Sequence, residues 1–282
     1  MSAAKPELVQ RQRAFDGWVE FYKHPSESTR TEMRFSLYRP PAAERGPVPV
    51  LYYLAGLTCT EETFMAKAGA QRWAAEQGLM LVAPDTSPRN AGVEGETGDW
   101  ELGVGAGFYL DATQPRWATH YRMERYVTDE LPQILRAHFP VRADREAIFG
   151  HSMGGHGALV LALRHPGRYR SVSAFAPICA PSQVPWGHKA FSAYLGDDRA
   201  AWAAHDAVEL VQRATVKTPL FVDQGLSDKF LDVQLKPELL ERACTQAHHP
   251  LTLRRHADYD HSYYFISTFM RDHIEYHARA LV

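Results

Sequence analysis

The sequence predicts an α/β protein whose central sheet is mostly parallel and covered by helices on both faces. Two observations predict it. Short apolar runs of strand length alternate with helical stretches from residue 34 to the end, and the run 48–54 is apolar throughout, as befits a strand buried on both faces. Apolar runs at 50–55 and 158–163 fall far short of the roughly 20 residues that cross a bilayer, so no membrane association is expected.

In order, strands are expected at 34–38 and 48–54, a helix over 60–77, and a strand at 79–83 after Gly78. Residues 121–138 read as a long helix interrupted near Pro132. A strand at 147–149, a helix at 153–164 ended by His165-Pro166-Gly167, and a strand at 171–175 continue the alternation. Helical 197–213, strand 220–223, helical 232–247, strand 251–255 and helical 263–280 complete it. Consecutive strands joined through helices run parallel, because a helix is the usual crossover. With no repeat, low-complexity segment or charge block to mark a linker, one domain over 1–282 is expected.

Charge narrows the function. Thirty-one Lys and Arg against 33 Asp and Glu give a formal −2, without the basic footprint of a nucleic-acid binder. Residues 1–15 contain no apolar stretch that would serve as an export signal. Cys59, Cys179 and Cys244 are too few and too scattered for a disulfide framework or a paired metal motif. A soluble protein of the reducing cytoplasm is therefore expected.

The chemistry points to Gly150-His151-Ser152-Met153-Gly154, a Gly-x-Ser-x-Gly run between a short apolar strand and an alanine-rich helical segment. The pentapeptide alone is a weak signal; its context gives it meaning. A strand that turns at once into a helix strains its middle residue, and small neighbours let the two segments pass closely. Gly150, Gly154, Gly155 and Gly157 supply that clearance, leaving Ser152 at the carboxyl edge of the sheet beside a helix N-terminus. The alternative is a tight turn whose serine only caps the helix.

A serine nucleophile needs a base, and the base a carboxylate that fixes its tautomer, in the chain order serine, acid, histidine. His256 ends an expected strand, whereas His261 lies on the loop before the last helix and is favoured. His165, His205, His248, His249, His273 and His277 read as solvated or core residues, and His156 as a packing residue. Candidate acids are Asp223, Asp228, Asp232, Asp258 and Asp260. Asp228, on a loop past the strand end, is chosen, with Asp223 second. The developing oxyanion calls for two N–H donors, expected from Met153 and from Leu57 on the loop 55–58, with Gly56 allowing close approach.

Two patterns are set aside. Gly103-Val104-Gly105-Ala106-Gly107 lacks the third glycine of the dinucleotide fingerprint, since Phe108 stands there. His273 and His277, four apart on one helix, lack the glutamate position of a zinc-protease helix and read as a solvated face; no metal is expected.

Six segments together resemble the S-formylglutathione hydrolases, serine esterases of the α/β-hydrolase fold in glutathione-dependent formaldehyde detoxification. They are Leu54-Ala55-Gly56-Leu57-Thr58-Cys59-Thr60, Gly105-Ala106-Gly107-Phe108-Tyr109-Leu110-Asp111-Ala112-Thr113, Gly150-His151-Ser152-Met153-Gly154-Gly155, Ala174-Phe175-Ala176-Pro177-Ile178-Cys179, Pro185-Trp186-Gly187 and Asp223-Gln224-Gly225. The resemblance implies a triad of Ser152, Asp228 and His261, oxyanion donors Leu57 and Met153, and no cofactor. Its implied substrate is a glutathione thioester, opened through an acyl-enzyme to glutathione and formate. A broader carboxylesterase or acyltransferase on the same scaffold is the alternative. Cys59 matches a family cysteine near the active site that makes many members sensitive to thiol reagents, and Cys59 and Trp186 are the implied acyl-pocket residues. Members often form dimers, so a homodimer is an expected partner state.

Overall fold

The computed structural model describes residues 4–282. Its nine strands are β1 (Glu7–Ala14), β2 (Gly17–Pro25), β3 (Glu32–Arg39), β4 (Val48–Leu54), β5 (Met80–Pro84), β6 (Val141–His151), β7 (Val172–Phe175), β8 (Leu220–Gly225) and β9 (Leu251–His256). They form one sheet in the order β1-β2-β3-β5-β4-β6-β7-β8-β9. From β5 to β9 all neighbours are parallel, while β1, β2 and β3 add an antiparallel flank. This is the α/β-hydrolase type of architecture the sequence predicts.

Every residue of β4 is buried, and the strand takes the middle place of the sheet. The helix Met153–Arg164 packs on β4, β6 and β7. On β7, Ser173 and Phe175, two residues apart and so on one face, both meet His273 of the last helix, Tyr263–Leu281. That helix therefore covers the face carrying Ser173, with the helix Gln71–Gln77 packed against it.

Several boundaries differ from the sequence expectation. The hairpin β1–β2 was not expected: β1 is exposed on both faces and shows no apolar alternation. Its two turn residues, Phe15 and Asp16, both have positive φ, the type I′ geometry of a tight hairpin, and Tyr38 donates to the carbonyls of Ala14 and Phe15. The expected helix over 60–77 is two, Glu61–Lys67 and Gln71–Gln77, parted at the left-handed Gly69. The expected helix over 197–213 is also two, because Asp198 and Asp206 each cap a new start. The interruption near Pro132 is a π-segment, Tyr126–Glu130, immediately before the helix Leu131–His138, where the proline has no N–H to continue the ladder. Pro185–Leu195 is a further helix that was not expected.

Candidate active site

The site grows from the carboxyl end of β6. Ser152 follows it with φ 57° and ψ −119°, a sharp reversal that feeds directly into the helix Met153–Arg164. Bonds on both sides hold the turn: Ser152 N–H donates to the Phe175 carbonyl (3.0 Å), and its own carbonyl accepts from His156 N–H (2.9 Å) and Ile178 N–H (3.3 Å). Glycine is required at two positions here. A Cβ on Gly154 would lie 1.9 Å from the Leu54 carbonyl oxygen, and one on Gly150 would lie 2.2 Å from that of Gly154.

The loop after β4 presses against this turn, since a Cβ on Gly56 would come within 3.1 Å of the Ser152 Cβ. Leu57 thus lies one residue from that contact. Tyr109 donates to the Ala55 carbonyl (2.9 Å) and Thr58 N–H to the Gly105 carbonyl (2.9 Å), which fixes the loop. Met153 opens its helix, so its N–H has no carbonyl one turn back to bond.

On the other side stand two loops. His261 Nδ1 meets Asp228 Oδ2 at 2.5 Å, and Asp228 Oδ1 accepts from Phe230 N–H at 2.9 Å. The His261 ring lies 4.4 Å from the ring of His151, the residue before Ser152, and 5.0 Å from that of Phe230. Of the two carboxylates favoured from the sequence, Asp228 is therefore the one joined to His261. Asp223 instead takes the Arg254 guanidinium in a two-pronged pair and lies near His273 and His256. Burial alone would raise its carboxyl, but Arg254 and His273 hold it well below the usual carboxylate range.

Trp186 packs against Phe230 at 4.8 Å, two ring contacts from His261, and its indole N–H donates to Glu101 at 2.6 Å. Cys59 is partly buried two residues beyond Leu57, and burial pushes its thiol up. Sequence reasoning missed Gln224, whose amide donates to Asp228 Oδ2 at 3.4 Å, as well as Phe230 and the buried His151. Of these, His151 lies inside the serine motif and Gln224 inside the segment Asp223-Gln224-Gly225, while Phe230 carried no signal. The expectation of a solvated His273–His277 face is corrected: both are fully buried, bonded to Ser171 and Ser173 of the sheet.

A family model described as an esterase matches residues 26–276. An S-formylglutathione hydrolase of Paracoccus denitrificans is 52% identical over 275 residues, covering 98% of each chain, and one of Mus musculus is 51% identical over 97% of this chain and 98% of its own. The chain belongs to the S-formylglutathione hydrolase family. A solved structure of an S-formylglutathione hydrolase from Agrobacterium tumefaciens superposes with a TM-score of 0.95 at 49% identity, covering 98% of this chain and all of that one. The family is thus matched from the antiparallel flank to the last helix. Among the described residues no helix is long and apolar enough to cross a membrane.

Proposed function

We propose that the chain hydrolyses S-formylglutathione to glutathione and formate, with Ser152 as nucleophile, His261 as base and Asp228 as the carboxylate that orients it. The observation that carries this reading is the His261–Asp228 pair at 2.5 Å, standing one ring contact from the Ser152 turn. Ser152 Oγ bonds to the thioester carbonyl carbon while His261 Nε2 takes the hydroxyl proton. The carbonyl electron pair moves onto oxygen, facing the N–H groups of Leu57 and Met153, and each such donor is worth about 2.7–4 kcal/mol. Collapse breaks the C–S bond, and the thiolate leaves with the proton held on His261. Water then adds to the formyl-serine by the same route, and formate departs as Ser152 regains its proton. Every step balances with water as the sole co-reactant.

Trp186 and Cys59 wall the acyl side in this reading, supported by the Trp186–Phe230–His261 ring contacts and by the place of Cys59 on the Gly56 loop. A cramped wall favours formyl over long acyl groups. We assign the protein to the cytoplasm, a reading supported by three free thiols.

Purified protein should show a much higher kcat/KM for S-formylglutathione than for p-nitrophenyl acetate, and comparable values would defeat the thioesterase reading. Ser152→Ala should remove about three or more orders of magnitude of kcat with an unchanged melting curve. Surviving turnover would remove Ser152 from its role.

A further inference from the structure

A cavity of about 490 Å³ lies beyond the Gly56 loop, lined by Arg30, Arg34, Glu61, Asp85 and Arg89 among others. It opens at the same edge of the sheet as Ser152. β5 runs parallel to β4 and ends just before Asp85, while the antiparallel β3 begins there, with Asp85 N–H donating to the Arg34 carbonyl. Since β5 and β6 flank β4, their carboxyl ends stand two strand spacings apart, about 10 Å. From the thioester carbon, through the cysteine side chain and an extended γ-glutamyl arm, the substrate spans about that distance.

The charges in the cavity are not all paired. Asp85 is occupied by the two-pronged contact from Arg89, which also donates to the Cys59 carbonyl. Glu61 is 5% exposed, and among the described residues its carboxyl meets its own backbone N–H and no side-chain donor, with Arg34 the nearest opposing charge. Burial, with Asp85 close by, pushes it up to about 7. A buried carboxyl with no cationic side chain bonded to it is costly to ionise, and a cation entering the cavity offsets that cost. At the rim, Arg30 is exposed and enters no ion pair among the described residues, and Arg34 has only a loose 3.6 Å contact with Glu32. Glu32 and Glu62 are exposed on the same lining, so the cavity presents a buried carboxyl with both guanidinium and carboxylate groups at its rim, the two signs an amino-acid zwitterion requires.

We infer that this cavity binds the γ-glutamyl end of the glutathione thioester, with Glu61 receiving its α-ammonium group and Arg30 and Arg34 its α-carboxylate. The inference rests on the substrate reading above. The loop 56–60 runs from the Ser152 contact to Thr60 on the cavity wall, so it joins the two places. The cavity anchors the part of the substrate that does not react, and its contribution appears in KM.

The test compares kcat and KM of the wild type, Glu61→Gln, Arg30→Ala and Arg34→Ala on three substrates: S-formylglutathione, the S-formyl thioester of N-acetylcysteinylglycine and p-nitrophenyl acetate. Calorimetric binding of free glutathione is measured alongside. Each variant should raise KM for S-formylglutathione roughly tenfold with kcat held, while the two substrates lacking the γ-glutamyl group change less than about twofold. Glutathione binding should weaken by the same factor. Arg30 and Arg34 are exposed, so their variants keep the test valid should Glu61→Gln fold poorly. Equal KM changes on all three substrates, unchanged KM, or no glutathione binding to the wild type would overturn the assignment. Should the wild type bind glutathione through Glu61 yet fail to hydrolyse S-formylglutathione, the function reading fails and the subsite stands.

Discussion

Acidification from pH 7.5 to 5.5 should weaken the fold through its buried histidines, by an amount the structure allows to be worked. His151, His156, His205, His273 and His277 are each at most 9% exposed. Burial pulls His156 down to about 3 and His205 to about 4, and it takes His151 and His277 well below their usual value. For a histidine lowered in the folded state, stability is complete above the unfolded value near 6.5 and is lost as pH falls below it, because the unfolded chain takes up protons the native chain refuses. At pH 5.5 each of these four costs about 1.4 kcal/mol, or roughly 5–6 kcal/mol together. His273 is left out of this sum because Asp223 opposes its burial. Glu61 works in the other direction: raised to about 7, it gains a proton and returns about 2 kcal/mol at pH 5.5. The net loss from these five groups is about 3–4 kcal/mol, a large part of a typical 5–15 kcal/mol, and His24 and His249, also buried and lowered, act in the same direction. Urea unfolding followed by circular dichroism at pH 7.5, 6.5 and 5.5 should show the midpoint falling mainly over the last unit. His156→Phe, a ring for a ring between Phe108 and Phe191, should flatten that slope by about 1.4 kcal/mol. Equal midpoints at pH 7.5 and 5.5 would refute the reasoning.

Two further predictions separate neighbouring roles. Asp228→Asn should lower kcat by about 10⁴ with little change in melting temperature, as removal of an orienting carboxylate does; Asp223→Asn should spare most of kcat but destabilise the fold by about 1–3 kcal/mol, because it takes the two-pronged carboxylate from Arg254 and leaves it Asp272 alone. Steady-state kinetics and thermal melts on both variants decide it, and the reverse pattern would move the acid role to Asp223. Gly154→Ala should abolish the folded protein altogether, since its Cβ would meet backbone at 1.9 Å, and soluble, active Gly154→Ala enzyme would show that the turn can open.

Much of the sheet was legible because its strands are apolar runs bounded by punctuation, as in Val48–Leu54, buried along its whole length. The hairpin β1–β2 was not, since an exposed strand carries no burial pattern and its turn residues, Phe15-Asp16, are not one of the favoured type I′ pairs. Helix Pro185–Leu195 was hidden by its opening Pro-Trp-Gly. The proline sits in the first turn, where it suits a helix, and Gly187 is there because a Cβ would meet the Pro181 carbonyl at 1.8 Å. For the candidate site, the serine motif and the loop positions of Asp228 and His261 could be read in one dimension. The zwitterion cavity could not, because Arg30, Glu61 and Asp85 come from three separate segments, gathered only by the β3–β5 pairing and by the Ser36 hydroxyl donating to the Glu61 carbonyl. His273 and His277 misled for a related reason: a histidine reads as polar until the serines that satisfy it across the sheet are known.

The pairing of Asp228 with His261 joins two loops, and loops are the mobile part of most folds. Here the strands beneath them remove that freedom. Asp223 and Arg254 stand opposite each other in the β8–β9 register, and their ion pair, extended to Asp272, ties both strand ends to the last helix. Above it, Leu226 N–H donates to the His256 carbonyl and Ser227 N–H to that of Tyr259, each at 2.9 Å, while a Cβ on Gly225 would lie 2.4 Å from the Tyr259 carbonyl oxygen. The two loops are thus laced backbone to backbone immediately before Asp228 and His261 are reached. A carboxylate inside the strand is used for this anchoring, and a second one, five residues later on the loop, is left free to face the imidazole. That division explains why Asp223, which the sequence places at the strand end, is not the partner of His261.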